Sequence, residues 1–142
     1  MSERQESAPT LEIELPNIQV MFVQAEDGPV GAQQAFQRLE KALGNLKGRR
    51  FYGTFHNGEY RANVALREID NPQVYVFEAG QIPGGKYARK KIKGYEEDKL
   101  GEVLPKEFDA LRKQYDGKVD PDRPSIEFYR SQKELIIMLP LI

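Results

Sequence analysis

"RRFYGTFHNGEYRANVALRE", residues 49–68, sets two runs of aromatic and β-branched residues on either side of Asn57-Gly58. Asn-Gly between such runs is the strongest short-range hairpin signal, because both residues tolerate the positive φ that a two-residue turn requires. A turn there pairs Phe55 with Tyr60 and Gly53 with Ala62. Strand side chains alternate, so one face carries Phe51, Phe55, Tyr60, Ala62, Val64 and Leu66. The other carries Tyr52, Thr54, His56, Arg61, Asn63 and Ala65. The first reads as a core face and the second as polar and mixed.

Upstream, "LEIELPNIQVMFV" (11–23) alternates and then turns continuously apolar, which predicts extended chain leading into a strand. "EDGPVGAQQAFQRLEKALG" (26–44) is helical: Asp27 or Gly28 caps it and Pro29 suits the first helical position. Ala32, Ala35, Phe36, Leu39, Ala42 and Leu43 form its apolar stripe, and Gly44 closes it. The same order recurs downstream. "QVYVFEAG" (73–80) and "KYARKKIKG" (86–94) read as strands around "QIPGG", and 95–115 reads as a helix. Its stripe is Leu100, Val103, Leu104, Phe108, Leu111 and Tyr115, with Pro105 kinking or splitting it. A turn-rich linker, "DGKVDPDRPS", delivers two final strands, "IEFYR" and "ELIIMLPLI".

Strand, helix, hairpin thus appears twice. The expected fold class is α+β: a duplicated strand–helix–strand–strand unit, over about 18–70 and 73–142, in one domain spanning 11–142. Residues 1–10 are expected to form a disordered tail. Two such units side by side place both helices on one face of an antiparallel sheet, with a groove between repeats on the other.

Composition narrows the function. The 142 residues suit one domain with one sizeable core. A net charge of −1 argues against a nucleic-acid binder built on a large basic field. The sequence has no cysteine and a single histidine, His56, so thiolate chemistry and multi-histidine metal sites are excluded and no cofactor is implied. The polar start lacks a signal-peptide core, and the longest apolar run is too short to span a bilayer, which predicts a cytoplasmic protein with no membrane partner. The lysines of "KYARKKIKG" suit a protected edge strand better than a nucleic-acid surface.

"GGKYARKKIKGYEEDKLGEVL" followed by "PSIEFYRSQKELIIMLPL" resembles the gyrase-inhibitor-like small-molecule-binding domain, the effector-binding module of bacterial multidrug-responsive transcription activators. Gly85, Lys86, Tyr87, Gly94, Tyr95, Ile126, Glu127 and Tyr129 occupy the positions that carry the likeness. It implies two fused strand–helix–strand–strand repeats and an acid of the last strand pair, here Glu127, as counter-charge for a lipophilic cation. It also implies that some stand-alone members act through DNA gyrase, and that others hydrolyse strained, cyclopropane-bearing toxins. No helix-turn-helix pattern precedes the module here, so direct binding to nucleic acid is not expected.

Glu127 is the central candidate. It is either a surface carboxylate, free or paired with a base such as Arg61, or a desolvated charge in an aromatic groove that a ligand cation neutralises. If Ile126 and Phe128 bury against the helices, Glu127 shares the opposite face with Tyr129, and with Tyr52 and Asn63 of the first hairpin. Tyr95 opens the second helix and is the fifth candidate. The expected ligand-binding set is therefore Glu127, Tyr129, Tyr52, Asn63 and Tyr95, with no catalytic residue and no metal ligand assigned.

Overall fold

In the computed structural model, residues 9–26, 28–131 and 134–142 are described. The chain runs β1 (Leu11–Leu15), β2 (Ile18–Gln24), α1 (Gly28–Leu43), β3 (Phe51–His56), β4 (Glu59–Ala65) and a short α2 (Pro72–Tyr75). It continues through β5 (Glu78–Ile82), β6 (Gly85–Lys93), a 3-10 turn (Glu97–Lys99), α3 (Leu100–Gln114), β7 (Ser125–Tyr129) and β8 (Glu134–Pro140). Strand–helix–strand–strand occurs twice, as β2-α1-β3-β4 and β6-α3-β7-β8. The tail expected over residues 1–10 lies outside the described residues except for Pro9 and Thr10, as does the candidate cap Asp27.

The eight strands form one curled sheet in the order β1-β6-β8-β7-β3-β4-β2-β5, each neighbouring pair antiparallel. Exchange of the two units leaves that order unchanged, and β3 pairs with β7 along the midline. The first strand of each half crosses over: β1 pairs with β6, and β5 with β2. The Asn57-Gly58 turn has φ of 52° and 80°, and the pairs Phe55–Tyr60 and Gly53–Ala62 form as the turn chemistry requires. Gly44, at φ 72°, ends α1 by donating its N–H to the Glu40 carbonyl.

Three apolar clusters follow. Ala35 and Leu39 of α1 pack on Met21, Val23, Ala62 and Val64. Phe108 and Leu111 of α3 pack on Ala88, Leu135, Ile137 and Leu139. The third cluster fills the opposite, helix-free face with Tyr52, Tyr87, Ile126, Ile136 and Met138. Both faces of the sheet are therefore cores.

That arrangement corrects several expectations. Ile126 and Phe128 pack on the helix-free face, not against the helices, and Phe55 is 47% exposed. Ala42, placed in the stripe of α1 by its spacing, is exposed. The helix α3 runs unbroken through Pro105. Pro72–Tyr75, overlapping the start of the run 73–80 read as a strand, forms a helical turn: Asn71 caps it by accepting from the Gln73 N–H, and Pro72 opens it. The strand β6 is an edge only in part: β1 pairs with residues 85–89, whereas residues 90–93 have no strand partner on that side among the described residues, and Lys90 pairs with Glu107 of α3 at 2.6 Å. No helix among the described residues is long and apolar enough to cross a membrane.

Candidate functional site

The register of the midline decides what Glu127 faces. Gly53 stands opposite Glu127, and Phe51 opposite Tyr129. On the other side of β7, Glu127 is opposite Ile137 and Tyr129 opposite Leu135, both in the α3 cluster. Glu127 and Tyr129 thus point to the helix-bearing face, between the strands that α1 and α3 cover. Tyr52 pairs with Phe128 and Asn63, and these side chains point the other way. The expected grouping of Glu127 with Tyr52 and Asn63 is corrected on that ground. Pairing with Arg61 is excluded likewise: Arg61 is on the helix-free face, over the Phe22 ring at 4.1 Å and bound to Glu59.

Around Glu127 the chain builds an aromatic nest. The hydroxyls of Tyr60 and Tyr129 both donate to the same carboxylate oxygen, Oε1, at 2.7 and 2.6 Å. Phe36 of α1 reaches down between them, with its ring edge-on to Tyr129 at 5.2 Å and to Tyr60 at 6.5 Å. Tyr95 packs into the same cluster as Tyr129 from the α3 side, and its hydroxyl donates to the Ser131 carbonyl. Among the described residues no donor reaches Oε2, and no Lys, Arg or His is in ion-pair contact with Glu127.

Gly53 makes the nest possible. A Cβ at this position would overlap the Tyr60 hydroxyl and stand 2.7 Å from Tyr60 Cζ and 2.8 Å from Glu127 Oε1. The two polar groups meet in the space that glycine leaves. Sequence reading passed over Gly53, Tyr60 and Phe36 as sites. Gly53 inside a strand was the available signal.

The electrostatics follow from burial. Desolvation raises the Glu127 pKa above the ordinary carboxyl value, and the two tyrosine hydrogen bonds pull it back without cancelling the rise. Burial first, and the neighbouring carboxylate second, push both Tyr60 and Tyr129 far above the usual phenol range. Both therefore remain neutral donors at any physiological pH. A carboxylate with two neutral donors, an unclaimed oxygen and aromatic walls is arranged to accept a cation or to hold a proton.

On the opposite face, a cavity of about 720 Å³ is lined by Tyr52, Phe128, Ile136 and Met138 among others. A smaller one of about 280 Å³ is lined by Asn63, Thr54 and Arg61. Asn63 is buried there, its amide donating to the Tyr52 carbonyl, the Thr54 hydroxyl and the Arg61 carbonyl. Tyr52 and Asn63 therefore border cavities on the face away from the Glu127 carboxylate, the larger of which Tyr129 also lines.

Eight antiparallel strands in one curled sheet with two long helices over one face match the gyrase-inhibitor-like fold, and the chain has that fold. Its likeness is to solved structures. An integron cassette protein from Vibrio cholerae superposes with a TM-score of 0.68 at 14% identity, over 96% of this chain and 97% of that one. SAV2435 bound to tetraphenylphosphonium gives 0.66 at 15%, covering 94% of each chain. A hydrolase from Listeria innocua gives 0.65 at 13%, over 97% and 94%. No family model and no curated protein matches.

Proposed function

We propose that the protein binds a small apolar cation between α1 and α3, with Glu127 as the counter-charge. The observation that carries this reading is the Glu127 carboxylate itself: half-buried, held by two neutral phenols at one oxygen, and in ion-pair contact with no cation among the described residues. An unpaired charge in such a place is costly, and a ligand cation removes the cost. The rings of Tyr60, Tyr129 and Phe36 add attraction at their faces, about 0.5–2 kcal/mol per contact. The tetraphenylphosphonium held by SAV2435, a protein of the same fold, supports the ligand class.

The test is Glu127→Gln, which keeps shape but removes charge. Calorimetric titration with tetraphenylphosphonium should show binding weakened by about 1–3 kcal/mol, the loss expected for a charge-assisted contact. Binding of neutral triphenylphosphine oxide should be unchanged. Equal affinity of the parent protein for both compounds refutes the counter-charge.

One observation favours a second reading. A carboxyl with a raised pKa, aligned by two phenols, is suited to proton transfer near neutral pH, and a solved structure of this fold is called a hydrolase. The substrate would be a strained electrophile of the cyclopropane type. In that case Glu127→Gln abolishes turnover and leaves substrate binding intact. Docking on DNA gyrase rests on the sequence resemblance alone.

A further inference from the structure

The helix-free face has chemistry opposite to that of the Glu127 nest. Its cavity of about 720 Å³ lies within the size range of small-molecule sites. The floor is apolar and ordered: Tyr52 and Phe128 stack at 4.9 Å with an interplanar angle of 21°, flanked by Ile136 and Met138. Four arginines, Arg49, Arg50, Arg89 and Arg130, stand around this floor, and no acidic residue lines the cavity among those described.

These cations are unevenly satisfied. Arg130 lies 3.8 Å from Glu134 in an exposed pair. Arg50 and Arg89 form no ion pair among the described residues. Arg49 is committed elsewhere. Its side chain is 3% exposed and its terminal nitrogens grip Asp70 at 2.5 and 3.0 Å. Its Nε–H is buried and presents no surface to the cavity, which leaves an anionic head group to the arginines of the rim.

We propose that this cavity is a second ligand site, selective for molecules with an apolar body and one anionic head, a carboxylate or a sulfonate. The body lies on the Tyr52–Phe128 stack and the head meets Arg50 and Arg130, which follow the Phe51–Tyr129 pair on β3 and β7 and share the face of the stack. Arginine suits such a head because its planar fork matches the oxygens of an oxyanion. The site lies on the other face of the sheet from the Glu127 carboxylate, with Tyr129 bordering both.

Calorimetry on the full chain with decanesulfonate, decanoate, 1-decanol and decyltrimethylammonium tests the charge selectivity. Decanesulfonate and decanoate should bind at least tenfold more tightly than 1-decanol, and the ammonium more weakly still. Arg50→Gln and Arg130→Gln should each weaken decanesulfonate several-fold and leave 1-decanol unchanged. Methyl resonances of the methionines then locate the ligand on the parent protein: Met138 lines the cavity, whereas Met21 is buried under α1. Decanesulfonate should shift Met138 and not Met21. Saturating tetraphenylphosphonium, or Glu127→Gln, should leave the sulfonate affinity as it was, even if the phosphonium itself fails to bind. The proposal is overturned by equal affinity for sulfonate and alcohol, by displacement of the sulfonate by the phosphonium, or by a shift at Met21 in place of Met138.

Discussion

Gly53→Ala is the sharpest probe of the Glu127 nest, because it adds one methyl group at the point where two polar groups converge. The new Cβ would overlap the Tyr60 hydroxyl and stand 2.7 Å from Cζ of the same ring and 2.8 Å from Glu127 Oε1. None of these distances is tolerable for a carbon, so Tyr60 must swing away. Phe36 packs edge-on to its ring and limits how far it can go. The variant therefore loses the 2.7 Å Tyr60–Glu127 hydrogen bond and gains crowding. Each effect is worth about 1–3 kcal/mol, and the gain in strand propensity from glycine to alanine recovers less than about 1 kcal/mol. A net loss of about 2–4 kcal/mol is expected, measured by urea unfolding. Tyr60→Phe alone removes the hydrogen bond and should cost about 1–2 kcal/mol. The double variant Gly53→Ala/Tyr60→Phe has no hydroxyl to collide with, so it should cost less than the sum of the singles by at least about 0.5 kcal/mol. A Gly53→Ala protein as stable as its parent, or strict additivity in the double variant, refutes the geometry of the nest.

Because burial raises the folded-state pKa of Glu127, the folded protein holds that proton more tightly than the unfolded chain. This contribution to stability is fully present below the ordinary glutamate pKa and is lost as pH rises through the raised value. The difference in unfolding free energy between Glu127→Gln and the parent should grow in favour of the variant across that window, as read by urea titrations at stepped pH. Cation binding should strengthen over the same window, as the carboxyl ionises. Tyr129→Phe removes a hydrogen bond that lowers the Glu127 pKa, so the midpoint of pH-dependent cation binding should move upward. Asp70→Asn leaves the Arg49 guanidinium buried without its counter-ion and should destabilise by about 3 kcal/mol or more in urea unfolding. The Asp70 carboxyl, held below its usual pKa first by the Arg49 hydrogen bond, contributes stability that is present above the ordinary aspartate pKa and lost as pH falls through the lowered one.

The hairpin about Asn57-Gly58 was legible because its turn residues fix the register, and the C-terminal end of α1 was legible because Gly44 takes the positive φ, 72°, that closes a helix. The α+β class and the double strand–helix–strand–strand order followed from hydrophobic periodicity together with the turn and cap residues. What failed was the assignment of faces on β7. The reading put Ile126 and Phe128 under the helices on the assumption that only one face of the sheet is dry. Curling buries the helix-free face as well, with Tyr87, Ile136 and Met138, so the most apolar residues of β7 have a core to enter on that side. The edge reading of β6 holds in part. Nothing local in "LEIEL" says that β1 crosses to pair with residues 85–89, while residues 90–93 have no strand partner on that side among the described residues.

Alternation along β7 could not by itself say which pair faced the helices, since Ile126 and Phe128 on one side and Glu127 and Tyr129 on the other are both credible. The deciding residue is on the neighbouring strand. Gly53 lies mid-strand with a buried residue on either side, where glycine weakens a sheet unless its missing side chain is needed. Hairpin parity already placed Gly53 on the face of Phe51 and Ala62, the face that carries α1. A vacancy on that face admits bulky side chains from neighbouring strands, and Tyr60 and Glu127 are the groups that enter. Once β3 is paired with β7, the glycine accounts for the acid facing the helices. It also separates the two chemistries of the domain: the acid and its phenols take the side with the vacancy, and the arginine-rimmed cavity takes the side where Tyr52 and Phe128 stack.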